Sequence, residues 1–184
     1  VDTYKPAVMR AALAAGASMI NDIGALRHPD AQAAVAASDC AVCLMHMQGE
    51  PGTMQNAPAY GDVVREVREF LAARVAAARA AGIDDCRLVL DPGFGFGKSL
   101  QHNLALFRAL TATGVDDLPM LVGVSRKSML GAITGRPVEQ RVAASIAAAT
   151  LAALKGAKIL RVHDVAETSD ALAVLAAIEK GDRQ

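Results

Sequence analysis

Short apolar runs alternate along the chain with alanine-rich stretches of helical length. The runs are Ser18-Met19-Ile20, Ala41–Met45, Arg87–Leu90, Met120–Val124 and Lys158–Val162. Each is too short for a helix and stops at a polar cluster, which is the pattern of buried parallel strands. Between them the sequence predicts helices. The first runs from Thr3 or Tyr4 to Gly16 with Pro6 in its first turn, and a short one covers Asp30–Ala37. A long helix starts at the N-cap Asp62 and ends near Ala81, and others cover Asn103–Ala112, Glu139–Leu154 and Ala166–Glu179. Gly16, Gly82 and Gly156 stand where helices close. Residues Glu50–Tyr60 contain two prolines, Gly52 and Asn56, and read as a mobile loop. The alternation is the βαβ rhythm of a parallel sheet. Nothing reads as a linker, so one domain over residues 1–184 is expected.

One stretch organises the rest. Leu88-Val89-Leu90-Asp91-Pro92-Gly93-Phe94-Gly95-Phe96-Gly97-Lys98-Ser99 runs from a strand into a carboxylate, a stiff proline and three alternating glycines. Glycine lets backbone turn sharply and approach a ligand closely. Lys98 supplies a cation just beyond. The stretch is not a phosphate-binding P-loop, because Pro92 occupies the position where that motif needs its first glycine. It is not a dinucleotide fingerprint either, because Lys98 stands where the third glycine belongs. A carboxylate at a strand end backed by a glycine loop suits a flat polar molecule.

The other strands end the same way: Asp2, Asn21-Asp22, His46, Ser125-Arg126-Lys127, and Arg161 with His163-Asp164. One polar residue at a strand end is usually a turn or cap. In a (β/α)8 barrel, however, all strand ends meet at one face and build the site. Carboxylates, an amide and several cations converging there suit an uncharged heterocycle joined to an anionic group. Arg161 and His163 are two apart, so they share one strand face.

Composition narrows the classes. Formal net charge is zero, which argues against nucleic-acid or membrane-surface binding through bulk charge. No apolar run is long enough to span a bilayer. Hydrophobic residues make up 53% of the chain, ample for a core, yet there is no Trp, so the core must be chiefly aliphatic. Three cysteines give no disulfide framework. Cys40-Ala41-Val42-Cys43 enters a strand, whereas a redox Cys-x-x-Cys should open a helix. No signal-peptide pattern is seen, and the cytoplasm is the expected compartment.

Taken together, these segments resemble the bacterial dihydropteroate synthases. The resemblance rests on Val1-Asp2-Thr3-Tyr4-Lys5-Pro6, Ile20-Asn21-Asp22-Ile23, Leu44-Met45-His46-Met47-Gln48-Gly49, Leu90 to Lys98, Gly123-Val124-Ser125-Arg126-Lys127-Ser128 and Arg161-Val162-His163-Asp164-Val165, in the family's order. It implies a (β/α)8 TIM barrel and a transferase of folate synthesis. That enzyme would condense 6-hydroxymethyl-7,8-dihydropterin diphosphate with 4-aminobenzoate, giving 7,8-dihydropteroate and pyrophosphate. The resemblance places the pterin on Asp2, Asn21, Met45, Asp91, Gly123, Lys127 and Arg161. It gives 4-aminobenzoate to Phe96, Lys127 and Ser128, with the benzoate carboxylate near the start of the helix after Arg126. It gives the diphosphate to Arg161 and His163, and casts Lys127, Arg161 and His163 as the catalytic residues. Mg²⁺ is the implied cofactor, small molecules and a second copy of the chain the implied partners, and sulfonamides, which mimic 4-aminobenzoate, the implied inhibitors.

The family's barrel has eight strands, of which five and the tail of another fall in this sequence. The first two and most of the third are expected to lie outside it, together with the loops and the metal ligand they carry. A fragment that binds pterin weakly and does not turn over is therefore expected. Two other readings are a methyltetrahydrofolate-binding barrel of a corrinoid methyltransferase and a non-catalytic pterin-binding subunit. The cations of Ser125–Ser128 and Arg161–His163 argue against the former, which has no diphosphate or benzoate to hold. The alanine-rich Val142–Leu154 suits close packing, against the barrel or in a homodimer.

Overall fold

In the computed structural model, which describes residues 1–180, the predicted alternation is present. The elements are α1 (Pro6–Ala14), β1 (Met19–Asp22), α2 (Pro29–Ala36), β2 (Ala41–Met45), α3 (Val63–Ala80), β3 (Leu88–Asp91), α4 (Leu100–Arg108), β4 (Leu121–Val122), α5 (Ser128–Thr134), α6 (Val142–Leu154), β5 (Ile159–Leu160) and α7 (Val165–Lys180). All ladders are parallel: β1 pairs with β2, β2 with β3, and β4 with β5. Single bridges extend the order at two places, Asp2 to Asn21 and Leu90 to Met120. The strands therefore lie side by side in chain order, an arc of a (β/α)8 barrel with helices on its outer face.

Period-2 alternation divides each strand between two environments. Ile20, Val42, Leu44, Leu88, Leu90 and Val122 face outward into the main core beneath the helices. Cys43, Val89 and Leu121 face inward and form a separate small cluster with Met19 against it. Two residues further along that inner face come Asn21, Met45, Asp91 and Gly123. The alternation thus stacks an apolar floor under a polar mouth.

The helices start where side chains replace missing backbone partners. Asp62 accepts from the Val64 and Arg65 N–H groups, and Glu66 reaches back to Gly61 and Asp62. From there α3 buries Val63, Val67, Leu71, Val75 and Ala78 as one stripe. Helix α4 begins three residues before the expected Asn103, because Ser99 and His102 cap each other's backbone. Glu139, expected to open α6, instead lies in a separate tight turn, Val138–Gln140, after Pro137. Strands β4 and β5 pair over two residues each, shorter than their apolar runs. Their ends peel out of the ladder into the turns that carry the mouth.

The Cys40 and Cys43 thiols are free and buried, consistent with strand packing. Residues Glu50–Tyr60 contain turns and no helix or strand. They are tied down by Gln48, which donates to Ala59 O and accepts from Ala59 N. No described helix is long and apolar enough to cross a membrane. Helix α6 packs on α7, while Leu151 and Leu154 remain half exposed.

A candidate ligand pocket at the mouth of the arc

Asp91 is the deepest charged group of the mouth, only 2% exposed. Its Oδ1 accepts the Gly93 N–H at 2.7 Å. Burial pushes its carboxyl above the ordinary range, while Lys127, the Gly93 N–H, Arg161 and Lys98 pull it back. A carboxylate held this way is costly without a partner and well placed to accept from one.

Asn21 enters from β1. Its Nδ2 donates to Asp2 Oδ2 at 2.9 Å, and its Oδ1 is buried with no hydrogen-bond partner. A buried orphan acceptor is rare and points to a donor supplied by something bound. Asp2 also accepts from Arg161 NH1 at 2.8 Å, so the first and last strand ends of the arc are joined across the mouth. The Arg161 guanidinium lies on Gly123, where an added Cβ would come within 3.1 Å of both Nε and NH2. Gly123 is thus the floor on which the guanidinium plane rests.

Lys127 stands on the other side. Its ammonium is 4.7 Å over the Phe96 ring and donates to Phe94 O. Burial lowers it to about 8, with Asp91 opposing and Arg161 assisting the shift. His163 contacts Ser125 Oγ through both its backbone N, at 3.2 Å, and its ring Nδ1, at 2.9 Å. An open cleft of about 320 Å³ runs between Gly123, Ser125, Lys127, Arg161, Val162 and His163. Met45, fully buried, faces the same interior. Ser128 is exposed at the first position of α5.

Several polar residues at strand ends and in the glycine loop do not join this group. Asp22 faces outward and caps its own turn, accepting from Gly24 N at 2.7 Å and Leu26 N at 2.8 Å. His46 also faces outward, with its ring edge on Phe70 at a centroid distance of 4.9 Å. Both neighbour an inward residue, so strand alternation sends them away. Arg126 has positive φ and turns to pair with Asp164. Lys98, expected to offer a cation to the ligand, is buried in the wall behind the glycine loop. Its Nζ contacts His46 Nδ1, Gly93 O and Phe96 O.

The loop between Asp91 and Lys98 depends on residues that spacing did not disclose. Gly93, Gly95 and Gly97 all have positive φ. A Cβ on Gly93 would lie 1.8 Å from His46 O, and one on Gly97 2.3 Å from Gln48 O. The loop presses directly on the chain leaving β2, and only glycine fits. Asn103, from α4, accepts the Gly95 N–H at 2.8 Å, and Tyr60 donates to Gly97 O at 2.9 Å. A buried loop must find partners for its backbone, yet nothing in sequence spacing says which side chains provide them.

Among the described residues no group of three or more His, Cys, Asp or Glu side chains is placed to hold a metal ion. No all-protein cage for the implied Mg²⁺ is thus present among the described residues, and an ion of this kind is commonly held by one or two carboxylates and substrate phosphates instead.

The chain is similar over its length to proteins of known family. A family profile described as pterin binding enzyme matches residues 1–163. Dihydropteroate synthase of Escherichia coli K12 is 49% identical over 177 residues, spanning 96% of this chain and 63% of that protein. The chain thus covers under two thirds of that relative's length. A Burkholderia cenocepacia dihydropteroate synthase structure, complexed with 7,8-dihydropteroate, superposes with a TM-score of 0.93 at 56% identity, covering 100% of this chain and 68% of the other. A Xanthomonas albilineans dihydropteroate synthase structure with 4-aminobenzoic acid has a TM-score of 0.91 at 56% identity, covering 97% of this chain and 64% of the other.

Proposed function

Because the chain belongs to the pterin binding enzyme family, we propose that it forms the pterin and 4-aminobenzoate face of a dihydropteroate synthase. The observation that carries this reading is the pair of acceptors on the inner face, the buried Asp91 carboxylate and the unpartnered Asn21 Oδ1. A reduced pterin presents an amino group and ring N–H donors along one edge, and two acceptors at that depth match such an edge. Asp91 takes the amino group and a ring N–H, as a carboxylate can accept two parallel donors. Asn21 takes a further donor, and Asp2 orients its amide. Lys127 donates to the pterin carbonyl. The Arg161 guanidinium lies along the ring face, which its planar, weakly hydrated group favours. Met45 and Gly123 complete the walls.

The diphosphate lies toward Arg161 and His163. Phe96, Lys127 and Ser128 shape the place for 4-aminobenzoate, with its carboxylate at the first N–H groups of α5. The arylamine nitrogen forms a bond to the pterin methylene carbon. The carbon–oxygen bond to diphosphate breaks, diphosphate leaves with the electron pair, and the arylamine gives up a proton to solvent. Arg161, His163 and Lys127 stabilise charge on the departing group, so the residues serve mainly to orient and to neutralise.

The test is release of pyrophosphate from 6-hydroxymethyl-7,8-dihydropterin diphosphate by the intact natural protein with Mg²⁺ present. Release that requires 4-aminobenzoate and yields 7,8-dihydropteroate is expected. Pterin binding with no pyrophosphate released would leave a binding protein and overturn the synthase reading.

A further inference from the structure

The glycine loop has no ladder or helix to fix its shape, yet each of its five carbonyls meets a side-chain donor. Lys98 serves Gly93 O and Phe96 O, Lys127 serves Phe94 O, Gln55 serves Gly95 O, and Tyr60 serves Gly97 O. Lys98 alone holds two, one at each end of the Gly93–Phe96 turn. Its third contact is His46 Nδ1, at 2.9 Å. An ammonium carries three N–H donors and no acceptor. Three acceptors at 2.9, 2.9 and 3.0 Å therefore saturate it in a place where it is 3% exposed. This requires His46 to present a bare Nδ1, with the ring proton on Nε2. Burial and the neighbouring cation lower His46 to about 3, in keeping with a neutral ring.

From this arrangement we infer that Lys98 and His46 form a positioning pair for the ligand pocket, touching no ligand themselves. The peptides that Lys98 grips belong to the turn that places two pocket groups. Gly93 donates its N–H to Asp91, and Phe96 presents its ring to Lys127. With the ammonium removed, Phe96 O and the buried imidazole nitrogen lose their donor and Gly93 O keeps only the Phe96 N–H at 3.1 Å, so the turn must shift to find water. The Asp91 carboxylate and the Phe96 ring then lose their fixed places together. His46 directly follows β2, so the pair also ties the loop to the end of the neighbouring strand.

The inference rests on the pterin reading for its ligands, and its test has one arm free of them. In the intact natural protein, Lys98→Met should weaken binding of 6-hydroxymethyl-7,8-dihydropterin diphosphate at least tenfold at a temperature where the variant is folded. His46→Asn, which keeps an acceptor near Nδ1, should bind within threefold of the parent. His46→Leu should fall with Lys98→Met. If Lys98→Met does not fold, the two His46 variants decide, and equal affinities overturn the proposal. A Lys98→Met protein that is less stable but binds as tightly as the parent also overturns it, since Lys98 would then only support the fold. Without ligand, exchange of the Gly93 and Gly95 amide protons should accelerate in Lys98→Met relative to exchange in the α3 core. Unchanged exchange would overturn the proposal even if the pterin reading held. Faster exchange in a protein that binds no pterin would uphold the pair and overturn the pterin reading.

Discussion

Arg161 and Asp2 stand 159 residues apart in sequence and 2.8 Å apart in space, closing the mouth of an arc whose strands do not themselves close. Both side chains are partly exposed, at 38% and 57%. A pair so placed adds little to stability, about 1 kcal/mol or less. Its effect is on orientation, since Asp2 also holds the Asn21 amide at 2.9 Å. Asp2→Asn should leave the unfolding midpoint nearly unchanged while weakening pterin diphosphate binding about tenfold, or about 1.4 kcal/mol. Thermal unfolding and calorimetric titration on the same sample read both, and a fall in stability with unchanged affinity would place the pair in the fold instead.

Two glycines should separate backbone demands from site demands. At Gly93, φ is +70° and a Cβ would strike His46 O at 1.8 Å. Gly93→Ala should cost at least about 3 kcal/mol, combining left-handed strain with the clash. At Gly123 the Cβ meets only the flexible Arg161 side chain, at 3.1 Å. Gly123→Ala should therefore fold with little loss and bind pterin diphosphate more weakly, because the guanidinium is lifted from its floor. Chemical denaturation of both variants checks the contrast, and similar stabilities would contradict it.

Binding should depend on pH from both sides. Lys127, lowered to about 8 chiefly by burial, loses its positive charge as pH rises through that value. Affinity for the anionic ligand should fall there, well below the range where an ordinary lysine titrates. Asp91 must be ionised to accept the pterin donors, and burial raises its carboxyl. Affinity should also fall on acidification, beginning at a higher pH than an ordinary aspartate would give. Dissociation constants measured across pH would test this, and Lys127→Arg should reduce the alkaline limb because arginine stays charged, leaving the part due to Lys98, which burial lowers to about 7. An alkaline limb unchanged in that variant would assign it to another group.

Much of this fold is legible in the chain. Apolar runs ending in polar clusters disclose the strands, and glycines after periodic stretches disclose where helices stop. Residues at strand ends separate into site and support by a rule of parity. Asn21, Asp91 and Arg161 lie on inward positions, whereas Asp22 and His46 are one step off and turn outward. That parity becomes readable only once register fixes which face is inner. Lys98 misleads for a related reason. A lysine beside a glycine loop looks like a ligand for an anion, and only the folded carbonyls of Gly93 and Phe96 show that its charge is already engaged. The contributions of Gln55, Tyr60 and Asn103 arise from long-range packing of irregular backbone, which no local periodicity records.

Whether Asp91 carries the pterin is decided by calorimetric titration of the intact natural protein with 6-hydroxymethyl-7,8-dihydropterin diphosphate and Mg²⁺, beside Asp91→Asn. The amide is nearly isosteric and does not ask a buried site to hold a charge, so the variant should be at least as thermally stable as the parent. Its affinity should fall about a hundredfold, or about 3 kcal/mol, with the loss of charge-assisted hydrogen bonds. Equal affinity in parent and variant would show that Asp91 does not hold the pterin and would place it elsewhere.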